Sequence, residues 1–346
     1  MIIPFFVPYQ GCPNRCIYCN VRKIAGKHVD AITEDTFREK VHKYLNHPKK
    51  KLNGAEIAFY GGNFTGMARE DQTRLLTLAV PFVKEGLVQS IRISTRPDCI
   101  DKEHMGLLHD FGVTIVEVGV QSMVDHVLDR STRGHSASDV CRAVAILKAR
   151  GFKTGIHLMV GLPGDSREGF EHTIRETIAL KPDMVRIHPT LVLADTELEE
   201  LFLSGAYHPL RMDEAIDLCK YALRTFEEAD IPVIRLGLQA TDEMEEAGSV
   251  VAGPYHPAFR ALVEEAMFLD TASAMLALDK KGSGEVTFSL SPKDVSFFKG
   301  HSNKNILALK KHFTLAKLRV TIDPEQKRGT LVMIAEGGRK TAERRH

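Results

Sequence analysis

The chain has 346 residues, of which 43% are hydrophobic and 26% charged, and its formal net charge at pH 7 is +1. This balance is typical of a soluble globular protein with more than one domain, and it excludes a strongly charged protein that coats nucleic acid or membranes. No apolar run approaches the ~20 residues that a bilayer span requires. The first residues lack a basic leader with a cleavage site, so we expect a cytoplasmic protein without a membrane partner.

Short β-branched runs alternate with amphipathic helical patterns along most of the chain. This order predicts an α/β fold of parallel strands joined by crossover helices. Six or seven such units predict a partial or near-complete (β/α) barrel of the TIM type, although a doubly wound sheet would give the same pattern. Strands are expected at 2–8, 55–62, 90–95, 114–122, 153–162, 184–193 and 232–239, and helices at 32–45, 71–86, 137–151, 167–180 and 213–229.

The pattern changes near residue 270, and the polar segment 279–285 is typical of a linker. A short β-α-β pattern follows, which is too small to continue the barrel. We therefore expect a barrel with its extension over 1–270, a small basic α+β domain over 280–335, and a polar, frayed tail over 336–346.

Half of the six cysteines fall in one short segment, where Cys12, Cys16 and Cys19 have the spacing C-x3-C-x2-C. Three thiolates from one loop can bind three irons of a cubane cluster and leave the fourth iron open for another ligand. A structural zinc site usually needs four ligands, often in two pairs, and no second pair is present. The remaining cysteines are interpreted as small buried hydrophobic residues.

With Tyr18 before its third cysteine, this loop resembles the radical S-adenosylmethionine (SAM) superfamily. Further segments fit that family in the expected order, and the resemblance covers roughly residues 1–335. Several of them resemble the branch that contains the Elongator catalytic subunit. The segments are YGGNFTG (60–66), RPD (96–98), VGVQS (118–122), RGH (133–135), GIHLMVGLPGDS (155–166), HPTLVLADTEL (188–198), GLQATD (237–242) and AGPYHPAFR (252–260).

The resemblance implies a [4Fe-4S] cluster held by Cys12, Cys16 and Cys19, with SAM as the second cofactor. It implies reductive cleavage of SAM to a 5′-deoxyadenosyl radical that abstracts hydrogen from a substrate, with an electron donor such as flavodoxin or ferredoxin. No acetyltransferase domain follows, so acetyl-CoA chemistry is not expected. The residues assigned to SAM are Tyr18, Gly61, Gly62, Asn63, Gln121, Ser122, Arg133, Gly161, Leu162 and Pro163.

The resemblance places most of these residues against a particular part of SAM. Gly61 and Gly62 would let a ligand approach the backbone, although a simple turn is the alternative. Gln121 and Ser122 are assigned to the ribose or carboxylate of SAM, Arg133 to its carboxylate, and the Gly161 segment to its adenine. Asn63 departs from the family pattern, in which an acidic residue often occupies this position. With asparagine here, the contact to the amino group of the methionine part of SAM would come from backbone carbonyls only.

Polar residues near strand ends are candidates for the substrate end of the cavity, although each alone could be a structural hydrogen-bonding residue. As a set they predict a polar cavity. They are Arg96, His157, Arg186, His188 and Gln239.

A second resemblance lies in the small domain, where Gly300, Asn303, Ile306 and Leu309 repeat at three-residue intervals. This spacing resembles the KH domain, whose loop clamps a nucleotide backbone. Asn303 replaces the second glycine, and asparagine is the next-best residue for a left-handed turn. From Lys293 to Arg319 there are seven Lys or Arg residues and one acid, so we assign Lys299, Gly300 and Lys304 to binding of tRNA or another RNA.

Three functions remain open. The first is a radical SAM enzyme that acts on RNA, most plausibly on a tRNA base. The second is a radical SAM enzyme that acts on a small molecule such as a tetrapyrrole or a metabolite. The third is a non-catalytic iron–sulfur protein that binds RNA.

Overall fold

A computed structural model describes residues 1–21, 32–47, 54–238, 242–246, 248–279, 284–335 and 338–344. The chain divides into two compact units. The first comprises Met1–Met212 and Ile231–Tyr255, and the second comprises Asp213–Asp230 and His256–His346. No helix within the described ranges has the length and apolar character needed to cross a membrane.

The first unit contains a sheet of seven parallel strands whose order in space follows their order along the chain. A doubly wound sheet reverses at a switch point, whereas strands that add in sequence curve into a barrel, so the predicted partial barrel is confirmed as a half-barrel. A small antiparallel pair, β7 with β9, lies outside this sheet. The strands are β1 (Ile2–Phe6), β2 (Glu56–Tyr60), β3 (Ser90–Thr95), β4 (Val113–Gln121), β5 (Lys153–Val160), β6 (Met184–Pro189), β7 (Val192–Leu193), β8 (Val233–Leu236) and β9 (Val250–Ala252).

The longer helices between the strands of the first unit are amphipathic, and several begin at polar caps. Thr33 and Ser136 each form a reciprocal capping box, which satisfies free amides of the first turn. Their apolar faces are buried within the first unit. Helix α8 (Met212–Glu228) is instead part of the second unit. The helices up to residue 245 are α1 (Glu34–Leu45), α2 (Arg69–Lys84), α3 (Lys102–Asp110), α4 (Asp125–Arg130), α5 (Ala137–Ala149), α6 (Arg167–Ala179), α7 (Glu197–Leu203), α8 (Met212–Glu228) and α9 (Asp242–Glu245).

Strands β5 and β6 alternate between two environments. Ile156, Leu158 and Val160 are fully or almost fully buried under the helices, whereas His157 and Met159 on the other face keep partial access to solvent. Because successive side chains of a strand point to opposite faces, the inner side of the half-barrel keeps partial access to water at β5, while Arg92, Glu117 and His188 on the same side are buried. Polar residues on this inner face can therefore meet a ligand.

The second unit holds a four-stranded sheet in the order β11-β10-β12-β13, with β10 and β11 parallel. Its core joins this sheet to a long helix, for example through Phe268, Phe288 and Phe298. Gly300 and Asn303 between two short helices have φ values of 70° and 60°, so the left-handed turn expected at Asn303 is confirmed. The elements are α10 (Phe259–Ala277), β10 (Glu285–Leu290), α11 (Val295–Lys299), α12 (Lys304–His312), β11 (Lys317–Ile322), β12 (Thr330–Ala335) and β13 (Gly338–Glu343).

The structure differs from the expected organisation at two places. Helix α10 packs in the second unit, so this unit includes residues that were expected to extend the barrel. The expected polar tail contains β13, which pairs with β12 and is held by Arg344, an ion-pair partner of Glu227 and Glu264. The strand is polar because it lies at the sheet edge, where one side of the backbone faces solvent. Most of the expected linker, 280–283, lies outside the described residues.

Candidate active site

The cysteine loop follows β1 and is held by backbone hydrogen bonds. The amide of Tyr9 donates to the oxygen of Gly61 over 3.2 Å, and the amide of Cys19 donates to the oxygen of Cys16 over 3.0 Å. Cys12 is exposed, while Cys16 and Cys19 are partly buried. The loop therefore presents three thiols beside the carboxyl ends of the parallel strands, where active sites of barrels collect.

Burial disfavours the charged form of two of these thiols. Although Cys12 is exposed as a residue, partial desolvation of its thiol raises its pKa, and burial raises the pKa of Cys19 to about 12. Cys16 adds to both shifts. Arg133 acts in the opposite direction on both. Since iron binds thiolates, loading a metal here must displace protons from the loop.

Three glycines allow the cysteine loop to lie directly against the segment that follows β2. A Cβ atom on Gly62 would lie closer than 3.0 Å to the main-chain oxygens of Val7 and Gln10. A Cβ atom on Gly66 would meet the oxygen of Gly11 at less than 3.0 Å, and one on Gly11 would meet the oxygen of Asn63. The missing side chain of Gly62 thus admits the chain's own loop, and its predicted contact to SAM stays a prediction.

Asn63 is fully buried and uses both ends of its carboxamide. Its Nδ2 donates to the oxygen of Gly11 over 2.6 Å and to Cys99 Sγ over 3.1 Å. Its Oδ1 accepts hydrogen bonds from Thr95 Oγ1 at 2.7 Å and from the amide of Arg96 at 3.0 Å. A carboxylate could accept these last two bonds but could not donate the first two. Asparagine therefore ties the cysteine loop to the end of β3.

Arg133 and Gln121 meet above Gly119 on β4. Arg133 donates from one nitrogen to Cys16 Sγ over 3.0 Å and from another to the oxygen of Gly119 over 2.6 Å. Gln121 has a positive φ of 68°, which costs strain in a residue other than glycine. Arg133 Nε and Gln121 Oε1 are buried without a protein partner. The structure brings both predicted residues to the cysteine loop and leaves each with an unused polar atom.

Ser122 and Gly161, which are also assigned to SAM, form hydrogen bonds within the protein. Ser122 Oγ lies 3.3 Å from Thr173 Oγ1 on α6 and accepts a hydrogen bond from the amide of Val124, so it has structural partners within the protein. The oxygen of Gly161 accepts a 2.7 Å hydrogen bond from Tyr207. Tyr18 Oη is buried without a partner. Contacts of Gly61, Leu162 and Pro163 with SAM stay predictions.

A cluster of charges inside the half-barrel was missed by the sequence analysis. Glu117 on β4 pairs with Arg92 at 2.6 Å and with Arg186 Nε at 2.6 Å, and it accepts a 2.9 Å hydrogen bond from Tyr60. Arg92 also pairs with Glu56 at 2.5 Å. Although burial raises the pKa of Glu117, Arg186 and Arg92 outweigh it and hold that pKa below its usual range. A lone acid within an apolar strand, VTIVEVGV, was the available signal.

The predicted substrate residues fall into two groups. Arg96 is engaged by both carboxylate oxygens of Asp98 at 2.9 Å, although its Nη1 is buried without a protein partner. Arg186 is engaged by Glu117. His157 and His188 instead form a contacting pair with ring centroids 4.3 Å apart. Gln239 lies outside the described residues.

Two of the other three cysteines differ from their expected burial. Cys219 is buried, as expected, but Cys141 is exposed on α5 and Cys99 is only partly buried. A helix pattern does not distinguish a core position from a flank when the residue is small. Cys99 instead accepts the hydrogen bond from Asn63.

The residues fit the two cofactors that the cysteine motif implies. Cys12, Cys16 and Cys19 lie near one another, because Cys16 raises the pKa of Cys12, and Cys16 and Cys12 both raise that of Cys19. Three thiols from one loop can bind three irons of a cubane cluster. The unused polar atoms of Tyr18, Gln121 and Arg133 around the loop suit a polar ligand beside the cluster.

Comparisons with known proteins agree with this site. The Radical SAM superfamily matches residues 6–177, and the Radical_SAM C-terminal domain matches residues 182–268. The chain is 32% identical over 219 residues to protein MJ0486 of Methanocaldococcus jannaschii, covering 60% of this chain and 66% of that protein. It is 32% identical over 198 residues to the tRNA uridine(34) acetyltransferase of Methanocaldococcus infernus, covering 51% and 36%. The chain thus spans two thirds or less of these relatives.

The fold agrees as well. The structure of the archaeal Methanocaldococcus infernus Elp3 superposes with a TM-score of 0.61 and 24% identity, covering 78% of this chain and 63% of that chain. The resemblance to the Elongator-like branch is confirmed, and family members use a [4Fe-4S] cluster and SAM. The two matched domains together span most of the half-barrel and its extension, and the chain belongs to the radical SAM superfamily.

Proposed function

We propose that this radical SAM enzyme acts on a base of tRNA. The observation that carries the proposal is the cysteine loop beside a polar, partly water-accessible inner face, where Arg133 contacts Cys16 and the pair His157–His188 lies on the same side of the sheet. The similarity to a tRNA uridine(34) acetyltransferase supports RNA as the substrate class. A small-molecule substrate is the alternative that the experiment below distinguishes.

Cys12, Cys16 and Cys19 would hold the cluster. Together the cluster and SAM supply, when bound, a 5′-deoxyadenosyl radical that can abstract a hydrogen atom, after one electron from a donor such as flavodoxin or ferredoxin. Arg133 would stabilise the Cys16 thiolate by a charge-assisted hydrogen bond. Asn63 keeps the loop in place, and the closely packed glycines beside it exclude water from the loop's inner side.

The second unit would bind the RNA backbone. The left-handed residues Gly300 and Asn303 shape the loop between α11 and α12 as the KH resemblance requires, and Lys299 precedes it. Lys304 is paired with Glu265 at 2.7 Å, so part of its charge is used within the protein. Lys310 and Lys311 extend the basic face along α12 and would contact phosphates.

The test is an anaerobic assay of 5′-deoxyadenosine. The protein is reconstituted with iron and sulfide, reduced with dithionite or flavodoxin, and supplied with SAM. It is then incubated with bulk tRNA, with RNase-digested tRNA or with no RNA. Stimulation by intact tRNA only is the expected result. Equal yields in all three reactions would favour a small-molecule substrate, and no yield despite a verified reduced cluster would contradict the proposal.

A further inference from the structure

The inner face of the half-barrel contains two imidazoles that the protein itself does not use. His157 on β5 and His188 on β6 lie on neighbouring strands, and their rings meet edge to face at 4.3 Å with an interplanar angle of 61°. His157 Nε2 and His188 Nδ1 are buried and have no hydrogen-bond partner in the protein. A buried polar atom without a partner costs about 1–3 kcal/mol, so a ligand or water is expected to satisfy it.

The pair is close to the cofactor site. His157 is the register partner of Gly119 on β4, and the oxygen of Gly119 accepts the hydrogen bond from Arg133. Arg133 is also near enough to lower the pKa of His157. His157 therefore lies near the guanidinium that contacts Cys16.

Both rings are uncharged near neutral pH. Burial, followed by Arg186, lowers the pKa of His157 to about 4. Burial, His157 and Arg186 together lower the pKa of His188 well below its usual value. A neutral imidazole has one donor and one acceptor nitrogen, so the pair can offer one of each to a ligand.

The charged groups nearest to the two histidines disfavour an ionic ligand. Arg186, which faces the pair, already forms its ion pair with Glu117 and donates to Tyr60 Oη over 2.8 Å. A cationic group would meet Arg186 and Arg235, which both oppose protonation of the rings. A bound anion would favour protonation of imidazoles that burial keeps neutral. An uncharged group with an adjacent donor and acceptor satisfies the pair without either penalty.

We infer that His157 and His188 bind the uncharged amide edge of the reacting group, an N–H beside a C=O as in a pyrimidine base. This inference rests on the proposed function for the source of that group, since a base taken out of an RNA stack is read along this edge. It assigns the two histidines a role in selecting the substrate, separate from holding the cluster or SAM.

The binding test uses ¹⁵N-histidine NMR of the full chain, reconstituted with an oxidised cluster and with SAM bound. The two signals are assigned by their loss in His157→Asn and His188→Asn. Uridine should shift both signals, while N3-methyluridine, which lacks the imide N–H, and sodium acetate should not. The exposed His172 on α6 is the internal control and should not respond. Shifts with acetate alone, or with none of the probes, would overturn the inference.

An activity test separates hydrogen bonding from packing. His157→Phe and His188→Phe should lower tRNA-stimulated 5′-deoxyadenosine formation at least roughly tenfold, as expected from losing 1.4 kcal/mol of binding. His188→Asn, which can still donate and accept, should recover most of it, and His172→Asn should match the wild type. Equal losses in the Phe and Asn variants would point to packing instead. If tRNA stimulates neither the wild type nor any variant, the proposed function fails. The NMR experiment alone then tests whether His157 and His188 bind an amide edge.

Discussion

Asn63 Nδ2 donates a hydrogen bond to the main-chain oxygen of Gly11 over 2.6 Å, one residue before the first cysteine of the loop. The same carboxamide accepts hydrogen bonds from Thr95 and Arg96 at the end of β3. One side chain thus connects the cysteine loop to the end of β3. The role requires a donor and an acceptor in a single group, which an acidic residue lacks.

Replacing Asn63 by aspartate should impair cluster assembly. The new carboxylate would face the oxygen of Gly11 and the sulfur of Cys99, and each lost bond should cost roughly 1–3 kcal/mol. Iron and sulfide per chain after anaerobic reconstitution measure the effect. Asn46→Asp at the exposed end of α1 adds the same charge and should load normally. Iron and sulfide contents in Asn63→Asp equal to those of the wild type would show that the hydrogen bonds of Asn63 are not needed for cluster assembly.

Gly66→Ala should destabilise the first unit and lower cluster content. Its Cβ would lie closer than 3.0 Å to the oxygen of Gly11 and to Asn63 Nδ2, and such overpacking costs about 1–3 kcal/mol. Gly106→Ala on α3 is a matched control, since its Cβ would meet nothing within 4 Å. Alanine there should raise the free energy of unfolding by about 0.5–1 kcal/mol. Urea unfolding at pH 7 measures both, and similar stabilities for the two variants would refute the close-packing argument.

Replacing Arg133 by methionine should make the midpoint potential of the cluster more negative. The guanidinium donates to Cys16 Sγ over 3.0 Å, and a positive donor beside a thiolate favours the reduced, more negatively charged cluster. We expect a shift on the order of 50 mV, close to the 59 mV that corresponds to a tenfold change for one electron. A spectroscopic redox titration measures it. Arg142→Met on the exposed side of α5 should leave the potential unchanged, and a positive shift for Arg133→Met would contradict this role.

Neutralising Lys299, Lys310 and Lys311 together should weaken RNA binding and flatten its salt dependence. Each phosphate contact to a single strand contributes about −0.7 to the slope of log K against log salt concentration, so the slope should change by up to about 2. Filter binding of bulk tRNA across a salt series measures it. A triple alanine variant at Lys102, Lys148 and Lys153, all exposed in the first unit, is the charge-matched control. Equal slopes for both triple variants would place the RNA surface elsewhere.

The sequence predicted the barrel strands well because their alternation with helices is local and strong. The strand expected at 90–95 is β3 at the same residues, and 153–162 contains β5. Helix α10 and strand β13 were missed, since the first is almost uniformly apolar and the second is an exposed edge. Both depend on packing within the second unit rather than on a local pattern.

For the site, the cysteine spacing and the family resemblance of VGVQS and RGH predicted Cys12, Cys16, Cys19, Gln121 and Arg133. The structure places Arg133 against Cys16 and Gln121 beside Arg133, and their roles towards the cofactors stay predictions. The role of Asn63 could not be predicted, because its four partners come from two segments of the chain that are distant in sequence, Gly11 and residues 95–99. The same holds for Glu117, whose partners Arg92, Arg186 and Tyr60 lie on three other strands. Contacts of this kind exist only once the sheet has formed.

The most direct test of the account follows hydrogen from substrate to cofactor. The reconstituted and reduced enzyme is incubated with SAM and with uniformly deuterated bulk tRNA, and the 5′-deoxyadenosine formed is analysed by mass spectrometry. We expect 5′-deoxyadenosine that carries deuterium from the wild type and none from Cys16→Ala, which would lose a proposed cluster ligand. Product formed at the stimulated rate but free of deuterium would contradict hydrogen abstraction from tRNA.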